Sequence, residues 1–253
     1  MSVESAVQSQ PHARAELRIP AHIGVIMDGN GRWARARGKP RTEGHIAGVK
    51  ALRRLVELSI NYGVKYLTVF SFSSENWTRP RDEVRFIIGL LHRFVASDLE
   101  KLYRNNVRVT IIGARDGLEP SLQRLIGDVE AKTAANTGLN LAVAFNYGGK
   151  AEIAEATRRI ARAVAAGTLK PEDITEATIA RGLYTSGAPD PDLIIRTSGE
   201  HRFSNFLIWQ SAYSELAFVD EYWPDFDEGI FLRVLEDYSS RERRFGGIEA
   251  QDL

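Results

Sequence analysis

Cysteine is absent from the 253-residue sequence. Its absence excludes disulfides, thiolate-bound zinc, iron–sulfur clusters and a cysteine nucleophile, and it is compatible with the cytoplasmic location that we predict. Residues 1–19 also lack the continuous apolar core and the small-residue cleavage site of a signal peptide. We therefore predict that residues 1–19 form a disordered tail outside the folded domain.

Long hydrophobic runs and an excess of one charge are missing as well. The longest uncharged stretch, residues 133–149, contains three Asn and three Gly and falls short of the ~20 apolar residues of a membrane helix. Thirty-three basic residues balance thirty-three acidic ones, so we predict no nucleic-acid partner bound through bulk charge. The 43% hydrophobic and 26% charged residues are typical of one globular domain, predicted over 20–247 with a tail at 248–253.

Short apolar runs alternate along the chain with amphipathic segments, whose apolar side chains are spaced by three and four residues. This alternation favours an α/β fold: a single domain with a central, mostly parallel β-sheet and helices on both faces. Residues 167–191 are predicted to be connecting chain that contains a short helix. The predicted strands are 22–27, 66–72, 107–112, 139–145 and 192–196, and the predicted helices are 45–61, 82–103, 118–135 and 151–165.

Polar, loop-forming segments follow four of the five predicted strands. These segments begin at Asp28, Ser73, Asn146 and Thr197. In open parallel sheets, ligands bind at the carboxyl ends of the strands. We therefore expect the four loops to converge on one site.

The loop after the first strand contains the residue types of an anion site. Two glycines after Asp28 allow a tight turn that brings backbone N–H groups close to an anion. Arg32, Arg41 and His45 follow and add side-chain donors. A carboxylate among these cations favours Mg²⁺, which commonly uses one or two carboxylates together with substrate phosphates, so Asp28 is the candidate ligand. The alternative interpretation is a tight turn surrounded by solvated arginines.

The last predicted strand leads to a second anion-binding set, Arg196, Arg202 and Ser204. Helix capping and surface salt bridges are the alternative roles for these side chains. His201 lies in the same loop, and we assign it no catalytic role. Glu215 follows an apolar run and is either a helix-end charge or a second metal carboxylate; the sequence leaves both open.

Common nucleotide-binding signatures are missing. Neither a Walker lysine loop nor a full dinucleotide fingerprint occurs, which disfavours nucleotide hydrolysis and hydride transfer. The predicted helix at 82–103 has a broad apolar stripe. This stripe is compatible with ordinary core packing, which we favour, and with the wall of a long apolar cavity.

These segments together resemble the cis-prenyltransferase family, in particular its bacterial undecaprenyl diphosphate synthases. The resemblance spans residues 20–247 and keeps the motifs in the family's order. No position that carries chemistry departs from the family pattern. The matching motifs are HIGVIMDGNGRWA, GH..G, FSSENW.RP, NYGG, DLIIRTSGE.R.SNFL.WQ..Y.E, WPDF and RERRFGG.

The resemblance implies a fold, an assembly and a reaction. The fold would contain an elongated hydrophobic tunnel, and the chain would form a homodimer with the RERRFGG segment at its interface. The reaction would be a Mg²⁺-dependent condensation of an allylic diphosphate, typically farnesyl diphosphate, with successive isopentenyl diphosphates. The product would be a long polyprenyl diphosphate such as undecaprenyl diphosphate, a cell-wall lipid carrier. Such a lipid product implies peripheral association with the inner face of the membrane.

The resemblance also implies roles for individual residues. Asp28 would be the metal-associated catalytic aspartate, Glu215 the second Mg²⁺ carboxylate, and Asn76 the residue that assists proton removal. The implied substrate-binding residues are Gly29, Asn30, Gly31, Arg32, Trp33, Arg41, His45, Ser73, Ser74, Glu75, Trp77, Arg79, Arg196, Arg202 and Ser204. In addition, the small side chain of Ser71 predicts a long product, because a bulky residue there would narrow the cavity.

Two other classes of protein are alternatives. A phosphohydrolase would use Asp28 as a nucleophile, but such enzymes usually carry a second aspartate two residues later, where this chain has Asn30. A non-catalytic subunit of a heteromeric prenyltransferase would lack the aspartate and the loop residues that this chain contains. Both alternatives are therefore disfavoured.

Overall fold

The computed structural model describes residues 17–241. The predicted C-terminal tail at 248–253, nearly all of the predicted N-terminal tail and the RERRFGG segment after its first residue lie outside the described residues.

Within residues 17–241, six strands form one sheet at the centre of the domain. They are β1 His22–Ile26, β2 Tyr66–Ser73, β3 Arg108–Ile112, β4 Asn140–Tyr147, β5 Leu193–Arg196 and β6 Glu215–Phe218. The strand order is β3-β4-β2-β1-β5-β6, and every neighbouring pair is parallel. Because the chain leaves β1 toward β2 on one side and returns at β5 on the other, a crevice is expected beyond the carboxyl ends of β1 and β5.

The four helices predicted with bounds are confirmed, and their ends differ from the prediction by at most four residues; the first and last helices of the described chain had no predicted bounds. The last of them, Glu228–Ser240, begins where the side chain of Asp227 accepts a hydrogen bond from the N–H of Ile230 at 2.9 Å. The short helix predicted within 167–191 is α6. The helices are α1 Asn30–Ala36, α2 Arg41–Asn61, α3 Arg81–Arg104, α4 Pro120–Thr133, α5 Gly149–Ala165, α6 Glu176–Gly182 and α7 Glu228–Ser240.

Two hydrophobic clusters cover the two faces of the sheet. Successive residues of a strand point to opposite faces, so Val25 packs in one cluster and its neighbour Ile26 in the other. The larger cluster includes Leu55 of α2 and Phe94 of α3, and the smaller one includes Phe206 from the loop after β5. The predicted single α/β domain is thus confirmed, and its sheet is parallel throughout.

The strand β6 was not expected from the sequence. Glu215 begins this strand and pairs in register with Leu193 of β5, so a helix-end role for Glu215 is wrong. β6 has four residues and only one of them is fully buried. Such a short edge strand has little of the apolar pattern by which buried strands are recognised.

An apolar cavity lies between the sheet and helices α2 and α3. Its empty volume is about 880 Å³, including the open mouth. Ile87, Leu91 and Phe94 of α3 form one wall. The apolar stripe of this helix therefore lines a cavity, rather than serving only in core packing. None of the helices within 17–241 is both long and apolar enough to cross a bilayer.

Candidate active site

A second, polar cavity lies beyond the carboxyl ends of β1, β2 and β5; we call it the polar basin. Three of the four polar loops contribute to it, whereas the loop that begins at Asn146 does not line it, so the predicted convergence is correct for three loops and wrong for the fourth. Of the site residues predicted from the sequence, the basin is lined by Asp28, Gly29, Asn30, Gly31, Arg32, Arg41, His45, Ser73, Asn76, Arg79, Arg196 and Ser204. It is not lined by Trp33, Ser74, Glu75, Trp77, Arg202 or Glu215.

The polar basin and the apolar cavity are continuous. Several residues line both, at the point where the one opens into the other. Among them, Asn30 and His45 are polar, whereas Phe70 and Ile87 are apolar, and Ser71 is the small residue between them. A molecule with a charged head and a long apolar tail fits this pair of cavities, because each part would meet an environment of its own polarity.

The carboxylate of Asp28 contacts two arginines, Arg196 and Arg32. Its Oδ1 accepts a hydrogen bond from the N–H of Gly29 at 2.7 Å, and its Oδ2 accepts one from Arg196 at 2.8 Å. The same Oδ2 lies 3.1 Å from the guanidinium of Arg32. Burial by itself would raise the pKa of Asp28, but the hydrogen bond from Arg196 and the positive charges of Arg196 and Arg32 lower the pKa below its usual value. Asp28 is therefore ionised at neutral pH.

Arg196 is nearly inaccessible, with 3% of its surface exposed. Its Nη1 donates to the hydroxyl of Ser204 at 2.7 Å and to the carbonyl of Arg202. Its Nε has no hydrogen-bond partner among the described residues, and neither has the buried hydroxyl of Ser198. Buried polar groups are normally paired. These unpaired groups next to the polar basin are consistent with a site that binds an anion.

Glu200 joins the two predicted anion-binding sets. It accepts a hydrogen bond from Arg32 at 2.6 Å and another from Arg202. These two hydrogen bonds lower the pKa of Glu200 below its usual value. The sequence suggested two separate sets, but Glu200, together with the contact between Asp28 and Arg196, places both sets around one basin.

Glu83 was missed by the sequence analysis, although it contacts three predicted residues. Its Oε1 lies 3.1 Å from Arg41, 3.2 Å from Arg79 and 3.4 Å from His45. Burial would raise the pKa of Glu83, but the hydrogen bond from Arg41 and the neighbouring charges lower it. Burial lowers the pKa of His45 and outweighs the opposing effect of Glu83, so the imidazole is neutral at neutral pH. In the sequence, Glu83 could have been found from its spacing of four residues from Arg79, because opposite charges at this spacing can pair.

The loop after β2 contains a short 3₁₀ helix, Ser74–Thr78. Its first turn is fixed by Asn76, whose side-chain oxygen accepts a hydrogen bond from the N–H of Ser73 at 3.1 Å. Trp77 packs edge-on against Phe72 with ring centroids 5.1 Å apart. Asn76 therefore lines the basin, while Trp77 lies on its outer side.

Trp33 points away from the polar basin, toward the WPDF segment. Its indole N–H donates to Asp225 at 2.7 Å, and the guanidinium of Arg37 lies 4.5 Å from its ring centre. Arg37 also forms an ion pair with Asp225 at 3.0 Å. This arrangement ties α1 to the turn before α7.

The close contact of α1 with α2 explains the glycines of the GH..G motif. A Cβ atom at Gly44 would lie 2.0 Å from the carbonyl oxygen of Asn30, and one at Gly48 would lie 2.4 Å from the side-chain oxygen of Asn30. Only glycine permits this approach. The side-chain oxygen of Asn30 is buried and has no hydrogen-bond partner among the described residues.

The site offers a metal ion a single carboxylate within one chain. Residues 17–241 contain no group of three or more His, Cys, Asp or Glu that could hold a metal. Asp28 fits Mg²⁺ in the manner in which this ion uses one carboxylate together with substrate phosphates. Glu215 lies level with Ile23 and Leu193, at the opposite end of the sheet, and accepts a hydrogen bond from Arg241 at 2.8 Å. One chain therefore does not bring Glu215 to the metal site at Asp28.

Comparison with known proteins agrees with this geometry. The prenyltransferase family model for undecaprenyl diphosphate synthase matches residues 26–246. An isoprenyl transferase of Rhizobium meliloti is 54% identical over 93% of this chain and 95% of its own length. An isoprenyl transferase of Thermotoga maritima is 50% identical over 92% of this chain and 99% of its own length.

Two solved structures share the fold. Lavandulyl diphosphate synthase from Lavandula x intermedia, crystallised with dimethylallyl diphosphate, has a TM-score of 0.87 and 37% identity over 90% of this chain and 98% of that one. A probable undecaprenyl diphosphate synthase from Campylobacter jejuni has a TM-score of 0.75 and 33% identity over 91% and 100%. The polar basin, its continuity with the apolar cavity and these similarities lead to one conclusion: the chain is a prenyltransferase and belongs to the undecaprenyl diphosphate synthase family of cis-prenyltransferases.

Proposed function

We propose that this prenyltransferase condenses farnesyl diphosphate with successive isopentenyl diphosphates and releases a polyprenyl diphosphate of about undecaprenyl length. The observation that supports the proposal most is the continuity of the polar basin with the apolar cavity. Each cycle must hold two diphosphates near one another, while a tail that grows by five carbons is kept out of water. One polar basin that opens onto one apolar cavity meets both requirements.

The two diphosphates would occupy the two halves of the basin. Arg41, His45 and the backbone N–H groups around Gly31 suit the allylic diphosphate, because His45 lines both cavities and Arg41 contacts the same carboxylate, Glu83, as His45 does. Arg196 and Ser204 suit isopentenyl diphosphate on the other side of Asp28, with Arg202 approaching from outside the basin. Charge-assisted hydrogen bonds from these arginines would orient each diphosphate.

We also propose that Mg²⁺ takes part, with Asp28 as its protein ligand. The metal, when bound, neutralises the diphosphate that leaves the allylic carbon. Asp28 would hold it beside the basin, and the remaining residues would orient the two substrates and exclude water from the cation-like carbon. We do not extend this proposal to Glu215 within one chain. Asn76 lines the basin and is proposed to assist the removal of the proton.

We propose a homodimer that uses the β6 edge of the sheet. Within residues 17–241, β6 pairs with no strand other than β5, and on its outer side the carbonyl of Leu216 accepts a hydrogen bond from Arg241 at 3.0 Å. Arg241, the first residue of the RERRFGG segment, donates a hydrogen bond to Glu215 of β6 at 2.8 Å. Light scattering of an active preparation at micromolar concentration is expected to give twice the chain mass. A monomer mass would contradict the dimer.

We further propose that the enzyme works in the cytoplasm and associates with the inner face of the membrane through its lipid product, a carrier for cell-wall precursors. This part of the proposal depends on product length, because a chain of about fifty-five carbons partitions into lipid at ~0.8 kcal/mol per buried CH₂. A short product would contradict the proposed association with the membrane.

Product analysis tests the proposed reaction. The full chain is incubated with radiolabelled isopentenyl diphosphate and with dimethylallyl, geranyl or farnesyl diphosphate in turn, with Mg²⁺ or with a chelator. Dephosphorylated products are then separated by chromatography. We expect farnesyl diphosphate and Mg²⁺ to give the highest rate and a product of about undecaprenyl length. Short products from every primer, or full turnover in the chelator, would contradict the proposal.

A further inference from the structure

Asn205 connects the loop after β2 to the loop after β5. Its side-chain nitrogen donates to Oε1 of Glu75 at 2.8 Å, and its side-chain oxygen accepts a hydrogen bond from the N–H of Lys150 at 2.9 Å. Its own carbonyl accepts one from the N–H of Gly149 at 2.8 Å. Asn205 therefore holds Glu75 from a position at the start of α5.

The orientation of the Asn205 amide is dictated by its partners. The N–H of Lys150 can only donate, so the side-chain oxygen must face it. The nitrogen is then left to face Glu75, which as a carboxylate can only accept. Burial would raise the pKa of Glu75, but the hydrogen bond from Asn205 is the first of several that lower it. The contact is thus a charge-assisted hydrogen bond with a defined donor and acceptor.

The backbone at this junction is adapted to close contact. Asn205 has a φ of 65°, in the left-handed region that asparagine tolerates better than most residues. A Cβ atom at Gly148 would lie 2.6 Å from the hydroxyl of Ser74 and 2.8 Å from the side-chain nitrogen of Asn205. Glycine at 148 therefore allows the β2 loop, the β5 loop and the start of α5 to meet at one point.

The contact between Asn205 and Glu75 lies one residue along the chain from residues that line the polar basin. Ser204, the neighbour of Asn205, accepts the hydrogen bond from Arg196 at 2.7 Å. Glu75 is followed by Asn76, which lines the basin. One segment therefore carries a diphosphate-binding contact at Ser204 and the contact to the β2 loop at Asn205.

We propose that Asn205 is a positioning residue, which fixes the loop of Ser73 to Arg79 relative to Arg196 and Ser204 through its hydrogen bond to Glu75. The inference rests on the proposed function and deepens it, because it specifies what sets the distance between the two substrate-binding halves of the basin. Asn205 itself touches neither substrate; it acts through Asn76 on one side and Ser204 on the other.

An exchange of polar groups tests this assignment. Asn205→Asp keeps the oxygen that accepts from Lys150 but places a second carboxylate against Glu75. We expect kcat to fall at least tenfold, and we expect amide hydrogen exchange within residues 73–79 to accelerate. Glu75→Gln combined with Asn205→Asp reverses the pair: the new amide at position 75 can donate a hydrogen bond to the new carboxylate at position 205. In this double variant, we expect kcat and the amide exchange rate of residues 73–79 to lie within about threefold of their values in Glu75→Gln alone.

Matched variants separate positioning from folding. Asn106 also has a positive φ, of 57°, and its side-chain oxygen accepts from the N–H of Thr137 at 2.8 Å, but it precedes β3 at the amino end of the sheet. Asn106→Asp is expected to leave kcat and loop exchange unchanged. If Asn205→Asp does not fold, Glu75→Ala removes the acceptor at an exposed position and is expected to accelerate exchange of the loop in the same way.

The outcomes separate a positioning role of Asn205 from a role that is limited to capping α5. Recovery in the double variant supports the positioning role. If Asn205 only capped α5, a second substitution at Glu75 would not restore what Asn205→Asp removes. Unchanged kcat and unchanged loop exchange in Asn205→Asp would overturn the inference, as would a double variant no better than Asn205→Asp. Loop exchange is measured without substrate, so this result is independent of whether farnesyl diphosphate is the primer.

Discussion

The carboxylate of Asp28 accepts a hydrogen bond at 2.8 Å from the guanidinium of Arg196, although 168 positions separate the two residues in the sequence. They meet because β1 and β5 are parallel neighbours, with Ile26 in register with Arg196. The contact joins the carboxylate proposed to hold Mg²⁺ to an arginine proposed to hold isopentenyl diphosphate. Substitutions on either side of this contact should therefore have distinct kinetic effects.

We expect Asp28→Asn to lower kcat by ~10² to 10³ or more, because it removes the only carboxylate proposed to hold Mg²⁺ while keeping the side-chain shape. The fold should persist, since asparagine can still accept from the N–H of Gly29. Steady-state rates at saturating Mg²⁺, with circular dichroism as the control for folding, test this expectation. More than a tenth of the wild-type rate would contradict the role of Asp28.

Arg196→Ala should raise KM for isopentenyl diphosphate by ~10-fold or more, since a hydrogen bond to a charged group contributes about 1.5–3 kcal/mol. KM for the allylic substrate should change less. Arg41→Ala, on the allylic side of the basin, provides the matched comparison and should show the reverse pattern. If both variants raise both constants equally, the basin does not hold two distinct diphosphate sites.

Ser71→Leu should shorten the products. Ser71 lines both the polar basin and the apolar cavity, so a leucine there would obstruct the passage that the growing chain must use. Chromatography of dephosphorylated products measures the effect, with Ser71→Ala as the control that keeps the passage open. The same product lengths in Ser71→Leu and wild type would show that this passage does not limit the chain.

The stability of the domain should fall between pH 7.5 and 5.5, in part because of His22. Burial lowers the pKa of His22 below 6.5, although the carbonyl of Pro189 and the charge of Asp192 oppose this shift. The unfolded chain therefore binds a proton that the folded protein does not. The resulting stability is present above pH 6.5 and is lost as the pH falls toward the folded-state pKa.

Urea unfolding at pH 7.5 and 5.5 measures this effect. We expect the decrease in the free energy of unfolding to be smaller in His22→Gln than in wild type. His92→Gln, a change at a half-buried position on α3, serves as the control for the loss of a histidine as such. An identical decrease in His22→Gln would rule out His22 as a source of the pH dependence.

The interior strands and long helices could be predicted from the sequence because each has a local cause. Strands such as β1 and β2 are short, mostly apolar runs, and α3 has an apolar stripe with helical spacing. The anion-binding character of the loop after Asp28 was likewise visible in its residue types. These features depend on neighbours in the chain, so the chain alone specifies them.

The tertiary structure decided which of these residues meet. The contacts of Glu83 with Arg41 and His45 and the hydrogen bond of Asn205 to Glu75 join segments far apart in the sequence, and only the packing of α2, α3 and the sheet brings them together. The same holds for Glu215, whose residue type suits a metal but whose strand begins at the far end of the sheet from Asp28. Sequence determined the chemistry available, and the strand order determined which chemistry shares one basin, because parallel pairing fixes which loops share an edge.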